Sequence, residues 1–183
     1  MRLVLDEIDR RRDEMEIRQL TPADVEAYWP VRLRALREEP QAFGSSYEEA
    51  KERALAVVSE SMRSAMEAGD FMLGAFEGGH LLGIVGFGRE KGRKNQHIGV
   101  VYQMYVAHEV RGQGYGRALM EALIARARAI DGVEQLILAV VEGNTGARAL
   151  YVALGFEVYG RQPKALKLAE GDYRDEELMV LWL

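Results

Sequence analysis

Cysteine is absent from the 183-residue sequence. The chain therefore cannot form a disulfide, use a thiolate as a nucleophile or bind zinc through sulfur. The three histidines are scattered along the sequence, with no cysteine to complete a ligand set, so we expect no metal site. A chain without cysteine is compatible with the reducing cytoplasm, which is the location we expect.

Long apolar runs and an excess of positive charge are also missing. No run approaches the roughly 20 apolar residues that a membrane-spanning helix needs. Lysine and arginine number 24 against 29 aspartates and glutamates, which gives a net charge of −5. Because nucleic acid binding depends on clustered positive charge, we expect neither a nucleic acid nor a membrane as a partner.

The rest of the composition is that of a globular protein. Hydrophobic residues make up 48% and charged residues 29% of the chain, which excludes a disordered or low-complexity sequence. At about 150 residues per domain, the length fits one domain. Residues 1–14 are dense in charge and are interpreted as an N-terminal extension, which leaves residues 15–183 as a single domain.

Hydrophobic periodicity and turn residues predict the element order β-α-α-β-β-β-α-β-α-β-β. Gly78 and Gly79 supply the positive φ angles of a tight hairpin between two of the strands. This order predicts an α/β (α+β) fold with a mixed, mostly antiparallel sheet, about four helices and parallel crossovers at the two later helices. The strands with the clearest limits are Phe71–Glu77, His80–Arg89, Ile98–Val106 and Gln135–Val141.

Two other regions are predicted with less regular patterns. A capping box at Ser46 and an apolar stripe predict one helix that ends near Gly69. Three strand pieces are predicted at residues 156–162, 165–168 and 177–183, with a turn around Gly171.

A glycine-rich turn over residues 106–118 follows a strand and opens a helix. Gly112, Gly114 and Gly116 allow the backbone to bend sharply and to approach a ligand. The first amides of the helix and its dipole favour an anion such as phosphate, and Arg111 and Arg117 add positive charge. The turn is neither a P-loop, which needs a lysine, nor a dinucleotide fingerprint, which needs a third glycine where Arg117 stands. Spacing alone also allows a turn that binds nothing.

A second block, Asn144-x-x-Ala147-x-x-Leu150-Tyr151-x-x-x-Gly155-Phe156, lies farther along the chain. With the Arg111-Gly-Gln-Gly-Tyr-Gly116 segment, it resembles the two signature motifs of the GCN5-related N-acetyltransferase (GNAT) superfamily. The order of elements from residue 15 to residue 183 is similar as well. Two motifs at the right separation, each at a strand–helix boundary, are far more specific than one glycine-rich turn.

The resemblance implies that acetyl-coenzyme A (acetyl-CoA) binds in a V-shaped gap between two splayed parallel strands, Ile98–Val106 and Gln135–Val141. The pyrophosphate would lie on the amides of residues 113–117, and the pantetheine arm would pair with the edge of the first strand. The residues implied for the cofactor are Met104, Tyr105, Val106, Arg111, Gly112, Gln113, Gly114, Tyr115, Gly116, Arg117, Asn144, Ala147 and Tyr151.

The resemblance also implies direct attack of an amine on the thioester, without a covalent enzyme intermediate. Tyr151 matches the residue that protonates the departing thiolate, although core packing alone would explain a tyrosine there. Some relatives carry a glutamate base early in the first splayed strand, where this sequence has none. Glu142 is the nearest carboxylate to the expected cleft, and His97, Gln103 and Tyr105 are further candidates for the base.

The acceptor amine is not identified by the sequence: a small molecule and a peptide or protein amine both fit. Aromatic residues that suit the wall of its site are Trp29, Phe43, Tyr47, Tyr159 and Tyr173. A non-catalytic module that binds or senses acyl-CoA is the alternative, which Tyr151 disfavours. The apolar C-terminal segment, residues 178–183, suits pairing of two copies as a homodimer and suits a core strand equally well.

Overall fold

A computed structural model describes residues 15–183, and seven strands form one sheet in the order β1-β2-β3-β4-β5-β7-β6. The predicted extension at residues 1–14 lies outside the described residues, so the boundary at residue 15 stays a prediction. The strands are β1 (Met15–Gln19), β2 (Phe71–Glu77), β3 (His80–Arg89), β4 (Ile98–Val106), β5 (Gln135–Val141), β6 (Glu157–Ala169) and β7 (Asp172–Trp182).

Five α-helices accompany these strands within residues 15–183. They are α1 (Val25–Glu38), α2 (Tyr47–Lys51), α3 (Leu55–Glu67), α4 (Tyr115–Arg128) and α5 (Thr145–Ala153). The predicted fold class is confirmed, because strand pairing is antiparallel everywhere except between β4 and β5. None of the helices in this part of the chain has the length and hydropathy that a membrane crossing requires.

The helix predicted from Ser46 to Gly69 is two helices, which is why the count exceeds the expected four. The capping box at Ser46 forms as predicted, and its hydroxyl accepts a hydrogen bond from the Glu49 amide. The chain then leaves the helical conformation at Ala54, whose ψ of 141° is extended, and α3 begins at the next residue. Neither glycine nor proline marks the break, so no local sequence pattern predicts it.

The C-terminal strands are longer than the sequence pattern indicated. The two pieces predicted at residues 156–162 and 165–168 belong to one strand, β6, and β7 begins five residues earlier than expected, at Asp172. The gap between the predicted pieces coincides with a register shift between Gln162 and Leu166, where Lys164 has a φ of 53°. A bulge interrupts the alternation of side chains without ending the strand.

Helices cover both faces of the sheet. Successive strand residues point to opposite faces, and Gly83 of β3 lies beneath Leu119 of α4, whereas Gly86 lies beneath the ring of Tyr102 on the other face. On that second face, Tyr28 of α1 donates a hydrogen bond to Gln103 of β4. We refer to the face that carries α4 as the α4 face and to the opposite one as the α1 face.

The shortest strand pairing in the described sheet is the one between β4 and β5. They pair in parallel over only three residue pairs, from Ile98–Gln135 to Val100–Ile137. β5 continues in register with β7 up to the Val141–Glu176 pair, and β3 continues beside β4 up to Val106. The second crossover, through α5, leads to β6, which runs parallel to β5 but is separated from it by β7.

Gly99 lies inside this short parallel ladder, and we predict that it tolerates no side chain. A Cβ atom there would overlap the ring of Phe87 and lie 2.7 Å from Leu136 Cδ2. Gly99→Ala should therefore lower the free energy of unfolding by about 1–3 kcal/mol through overpacking, measured by urea denaturation. Gly44→Ala is the control, because Gly44 is exposed and has no atom within 4 Å of the new Cβ. Equal stability of the two variants would contradict the prediction.

Candidate active site

Beyond the three-pair ladder, β4 and β5 separate and enclose a cavity of about 540 Å³. Its walls are the inner edges of both strands, the glycine-rich turn and α5. Of the residues that the sequence assigned to the cofactor, all but Gln113 and Tyr115 line it: Met104, Tyr105, Val106, Arg111, Gly112, Gly114, Gly116, Arg117, Asn144, Ala147 and Tyr151. Gln113 instead donates a hydrogen bond to the Glu109 carbonyl, and Tyr115 is buried in the core.

A bulge in β4 bends the strand away from β5. Gln103 has a φ of 55°, and the register with β3 shifts between Ile84 and Gly86. The left-handed conformation costs a residue with a Cβ about 1–2 kcal/mol, and the hydrogen bond of 2.7 Å from the Tyr28 hydroxyl to Gln103 Oε1 helps to hold it. Strand geometry past this point leaves backbone groups of β4 facing the cavity rather than β5. Nothing in the sequence marked Gln103 as a bulge residue.

The glycine-rich turn forms the anion-binding end of the cavity. Gly112 and Gly114 have φ values of 76° and 95°, and α4 starts immediately after Gly114. The amides of the first helical turn have no partners within the helix and carry the positive end of its dipole. A Cβ at Gly116 would lie 3.3 Å from both Met104 Cε and Leu150 Cδ2, so this glycine permits close packing of α4.

The two arginines of the turn differ in how strongly other residues of the protein bind their guanidinium groups. Arg111 donates to Glu39 at 2.8 Å and to the Val106 carbonyl at 2.9 Å. Arg117 makes a looser contact of 3.3 Å with Glu121 on the solvent side of α4. Because an exposed pair of this kind contributes little, Arg117 is the better placed of the two to bind an anion.

Acidic side chains at the mouth of the cavity are also paired. Tyr105 donates a hydrogen bond of 2.6 Å to Glu38, which together with Arg34 lowers the pKa of Glu38. Burial and this same hydrogen bond raise the pKa of Tyr105. Arg34 reaches Glu109 through two contacts of 2.7 Å and brings the pKa of Glu109 to about 2. These acidic side chains beside the cavity are therefore already paired within the protein.

Asn144 and Tyr151 occupy the α5 side of the cavity. The Asn144 side chain accepts a hydrogen bond of 3.2 Å from the Ala147 amide, so it caps α5 as predicted. Tyr151 is only 6% exposed and packs against Phe156 with ring centroids 5.9 Å apart. Burial raises the pKa of Tyr151 to about 12, and no described residue forms a hydrogen bond with its hydroxyl. This phenol keeps its proton at neutral pH.

The structure separates the residues that the sequence offered as a base. Gln103 and Tyr105 line the cavity, but His97 lies at the opposite end of β4, where β4 and β5 pair. Glu142 does not line the cavity either. It is exposed and paired with Arg161, whose hydrogen bonds lower the pKa of Glu142. Its role as base stays a prediction, and these contacts do not favour it.

A carboxylate that the sequence analysis did not single out pairs with a cavity residue, although it does not line the cavity itself. Glu176 of β7 is directly opposite Val141, which lines the cavity, so the two side chains share the α1 face. Burial raises the pKa of Glu176. Its side chain forms no hydrogen bond or ion pair with any residue between 15 and 183. No sequence motif could have identified it, because its position depends on the β5–β7 register.

Of the aromatic residues suggested for the acceptor wall, Phe43 lines the cavity. Trp29 is buried in the core, and Tyr159 is 56% exposed. Tyr47 and Tyr173 contact arginine or lysine side chains outside the cavity lining. Over the described range, no group of three or more histidine, aspartate and glutamate side chains is arranged to hold a metal ion.

The acetyltransferase (GNAT) family model matches residues 32–156, more than half of the sequence. The chain therefore belongs to the acetyltransferase (GNAT) family, and the resemblance seen in its two motifs is confirmed.

Individual relatives agree with this assignment. The L-methionine sulfoximine/L-methionine sulfone acetyltransferase of Pseudomonas aeruginosa is 35% identical over 86 residues, which are 47% of this chain and 49% of that protein. The chain thus matches about half the length of this curated relative. The solved ribosomal-protein-alanine N-acetyltransferase from Brucella melitensis is 27% identical, with a TM-score of 0.80 over 92% of this chain and 99% of that one.

A third relative was solved with its cofactor. The acetyltransferase from Salmonella typhimurium in complex with acetyl-CoA has a TM-score of 0.80 at 23% identity, over 93% of this chain and 94% of that one. At this level of identity, the likeness shows the fold.

Proposed function

We propose that this protein is an N-acetyltransferase that transfers the acetyl group of acetyl-CoA directly to an amine. The observation that carries the proposal is the cavity between the diverging strands, which has an anion-binding turn at one end and a buried, protonated tyrosine in its wall. The Pseudomonas aeruginosa and Brucella melitensis relatives support it, since both are acetyltransferases. The proposal includes a cytoplasmic location, because acetyl-CoA is held inside cells.

Acetyl-CoA has the chemistry that this cavity would bind. Its pyrophosphate would accept hydrogen bonds from the amides of residues 113–117, close to Arg117. Its pantetheine amides would pair with the backbone groups of Met104, Tyr105 and Val106 that face the cavity, as an added strand does. The Val106 carbonyl is not one of them, because it accepts a hydrogen bond from Arg111. A β4 amide would then donate a hydrogen bond to the thioester carbonyl and stabilise the oxyanion of the tetrahedral intermediate.

Gly114→Ala should weaken binding of acetyl-CoA by about tenfold or more, because a Cβ at a φ of 95° strains the turn that presents the amides. Isothermal titration calorimetry with acetyl-CoA measures this. Gly78→Ala is the matched control: it also has a positive φ and open space, but it lies in the β2–β3 hairpin. Both variants should lose similar stability, and only Gly114→Ala should lose affinity. Unchanged affinity in Gly114→Ala would exclude the turn from the donor site.

Tyr151 is the proposed acid. The amine nitrogen attacks the thioester carbon, and the tetrahedral intermediate collapses as the carbon–sulfur bond breaks. The Tyr151 hydroxyl gives its proton to the departing sulfur and regains one from solvent. A phenol with a pKa of about 12 gives its proton to a thiolate only while the bond is breaking, since free thiols have a pKa of about 8.5.

Tyr151→Phe should lower kcat by about 10²-fold or more, with the dissociation constant of acetyl-CoA unchanged. Thiol release with a panel of amines measures kcat, and calorimetry measures binding. Tyr159→Phe removes an exposed hydroxyl and should behave as the unmodified protein. Full turnover in Tyr151→Phe would remove Tyr151 from the mechanism. Binding of acetyl-CoA without turnover on any amine would favour the alternative, a non-catalytic acyl-CoA module.

Two carboxylates compete for the role of proton acceptor from the attacking amine. Glu142 is close in sequence to the cavity but is neutralised by Arg161. Glu176 shares a face with Val141, and its raised pKa makes it a stronger base than an ordinary glutamate. We propose Glu176, directly or through a water molecule.

Glu176→Gln should lower kcat/KM and remove the acid-side pH dependence that the ionisation of Glu176 produces. That ionisation lies above the ordinary pKa of glutamate, because burial disfavours the charged form. Glu142→Gln is the paired variant, and pH–rate profiles of both decide between the two carboxylates. A larger loss in Glu142→Gln, with the profile of Glu176→Gln intact, would restore Glu142 as the base.

The homodimer stays a prediction. Apolar side chains are exposed on and beside the two C-terminal strands, among them Trp182 at 65%, Tyr159 at 56% and Val158 at 43%. β6 is also an edge strand of the sheet. A second copy of the chain is one partner that would cover this edge.

A further inference from the structure

Arg32 of α1 is the only buried charged residue in the described part of the chain, with 6% of its surface exposed. No ion pair or hydrogen bond from any residue between 15 and 183 reaches its guanidinium, and one terminal nitrogen, Nη1, is buried without a partner among these residues. Burial lowers the pKa of Arg32, although the group remains charged. A buried guanidinium without an anion is unfavourable, so such groups are normally paired.

Of the acidic side chains nearest in sequence, Glu26 is exposed to solvent, and Glu38 and Glu39 have other partners. Glu38 accepts hydrogen bonds from Tyr105 and Arg34. Glu39 accepts one from Arg111. What Arg32 contacts instead is the ring of Phe43, whose centroid lies 4.7 Å from the guanidinium carbon. An aromatic face attracts a cation but does not satisfy its hydrogen bond donors.

The position of Arg32 ties it to the proposed active site. Phe43 lines the cavity and lies outside any helix or strand, in the connection between α1 and α2. Tyr28, one helical turn before Arg32 and on the same side of α1, bonds to Gln103 at the β4 bulge. Arg32 is therefore directly behind the cavity wall on the α1 face, the face that also carries Val141 and Glu176.

We infer that Arg32 binds the carboxylate of the acceptor, and that the acceptor is a small amine that also carries a carboxylate, of the amino acid type. A carboxylate offers two oxygens to the fork of guanidinium donors and supplies the one negative charge that Arg32 lacks. Phe43 covers the guanidinium in the free protein and moves aside when the acceptor enters. This inference rests on the proposed function and specifies its substrate class.

The test compares acceptors that differ only in the carboxylate. The probes are glycine, L-leucine and L-phenylalanine, each beside its carboxamide, with ethanolamine and phosphoethanolamine as a further pair. The unmodified protein should favour the carboxylate over the carboxamide in kcat/KM by about tenfold or more. Amine ionisation works against this preference, since the amine of a carboxamide is less basic and more of it is deprotonated.

Arg32→Met should bring the ratio of carboxylate to carboxamide close to one, mainly through KM, with the dissociation constant of acetyl-CoA unchanged. Arg32→Lys should keep part of the preference, because it retains the charge without the fork. Arg63→Met is the matched control, since Arg63 is an exposed residue of α3 paired with Glu60, and it should keep the full ratio. Removal of an unpaired buried charge should also leave the melting temperature of Arg32→Met equal or higher.

Several outcomes would overturn the inference. Equal kcat/KM for carboxylates and carboxamides in the unmodified protein would show that no carboxylate is bound. Preference for phosphoethanolamine would assign Arg32 to phosphate, and weaker acetyl-CoA binding in Arg32→Met would assign it to the coenzyme. If no amine in the panel is acetylated, the proposed function is wrong, but the role of Arg32 can still be tested by binding.

For this test, the melting temperature of the protein with coenzyme A bound is measured with L-leucine and with L-leucinamide. Equal shifts with the two compounds would refute the role of Arg32.

Discussion

Two adjacent parallel strands that pair over only three residue pairs determine most of the other features of this protein. Up to Val100, β4 and β5 form an ordinary ladder, and beyond it the bulge at Gln103 turns β4 away. Each strand keeps its outer neighbour, since β3 holds β4 and β7 holds β5. The backbone groups that face the resulting cavity have no strand to satisfy them, so a ligand with its own amides takes that place.

Charge is distributed unevenly around this opening. At its mouth, Glu38, Glu39 and Glu109 are each matched by an arginine or a tyrosine. The matching fixes the connection between α1 and the sheet but leaves little net charge there to hold a ligand. On the α1 face, by contrast, Arg32 and Glu176 carry opposite charges, and neither has a hydrogen-bond or ion-pair partner within the described part of the chain. A zwitterion that reached this face would meet charges complementary to its own.

The sequence predicted the parts of this fold that local patterns determine. The predicted limits of β2, β3, β4 and β5 match those in the structure, because alternating hydrophobic residues and turn glycines mark the ends of strands. The glycine-rich turn likewise predicts where α4 begins. The break between α2 and α3 was missed because an alanine forms it. The burial of Arg32, the pairing of Glu142 with Arg161 and the position of Glu176 all depend on contacts between elements distant in sequence.

The short ladder between β4 and β5 divides the sheet into two parts, β1 to β4 on one side and β5, β7 and β6 on the other. Three residue pairs around Gly99 are the only strand pairing between these two parts within residues 15–183. A small rotation about this ladder would change the width of the cavity most at its far end, where the glycine-rich turn would hold the pyrophosphate. Substitutions that tighten or loosen this ladder would therefore alter how the protein holds the phosphates of the coenzyme, at a distance from every residue that touches them.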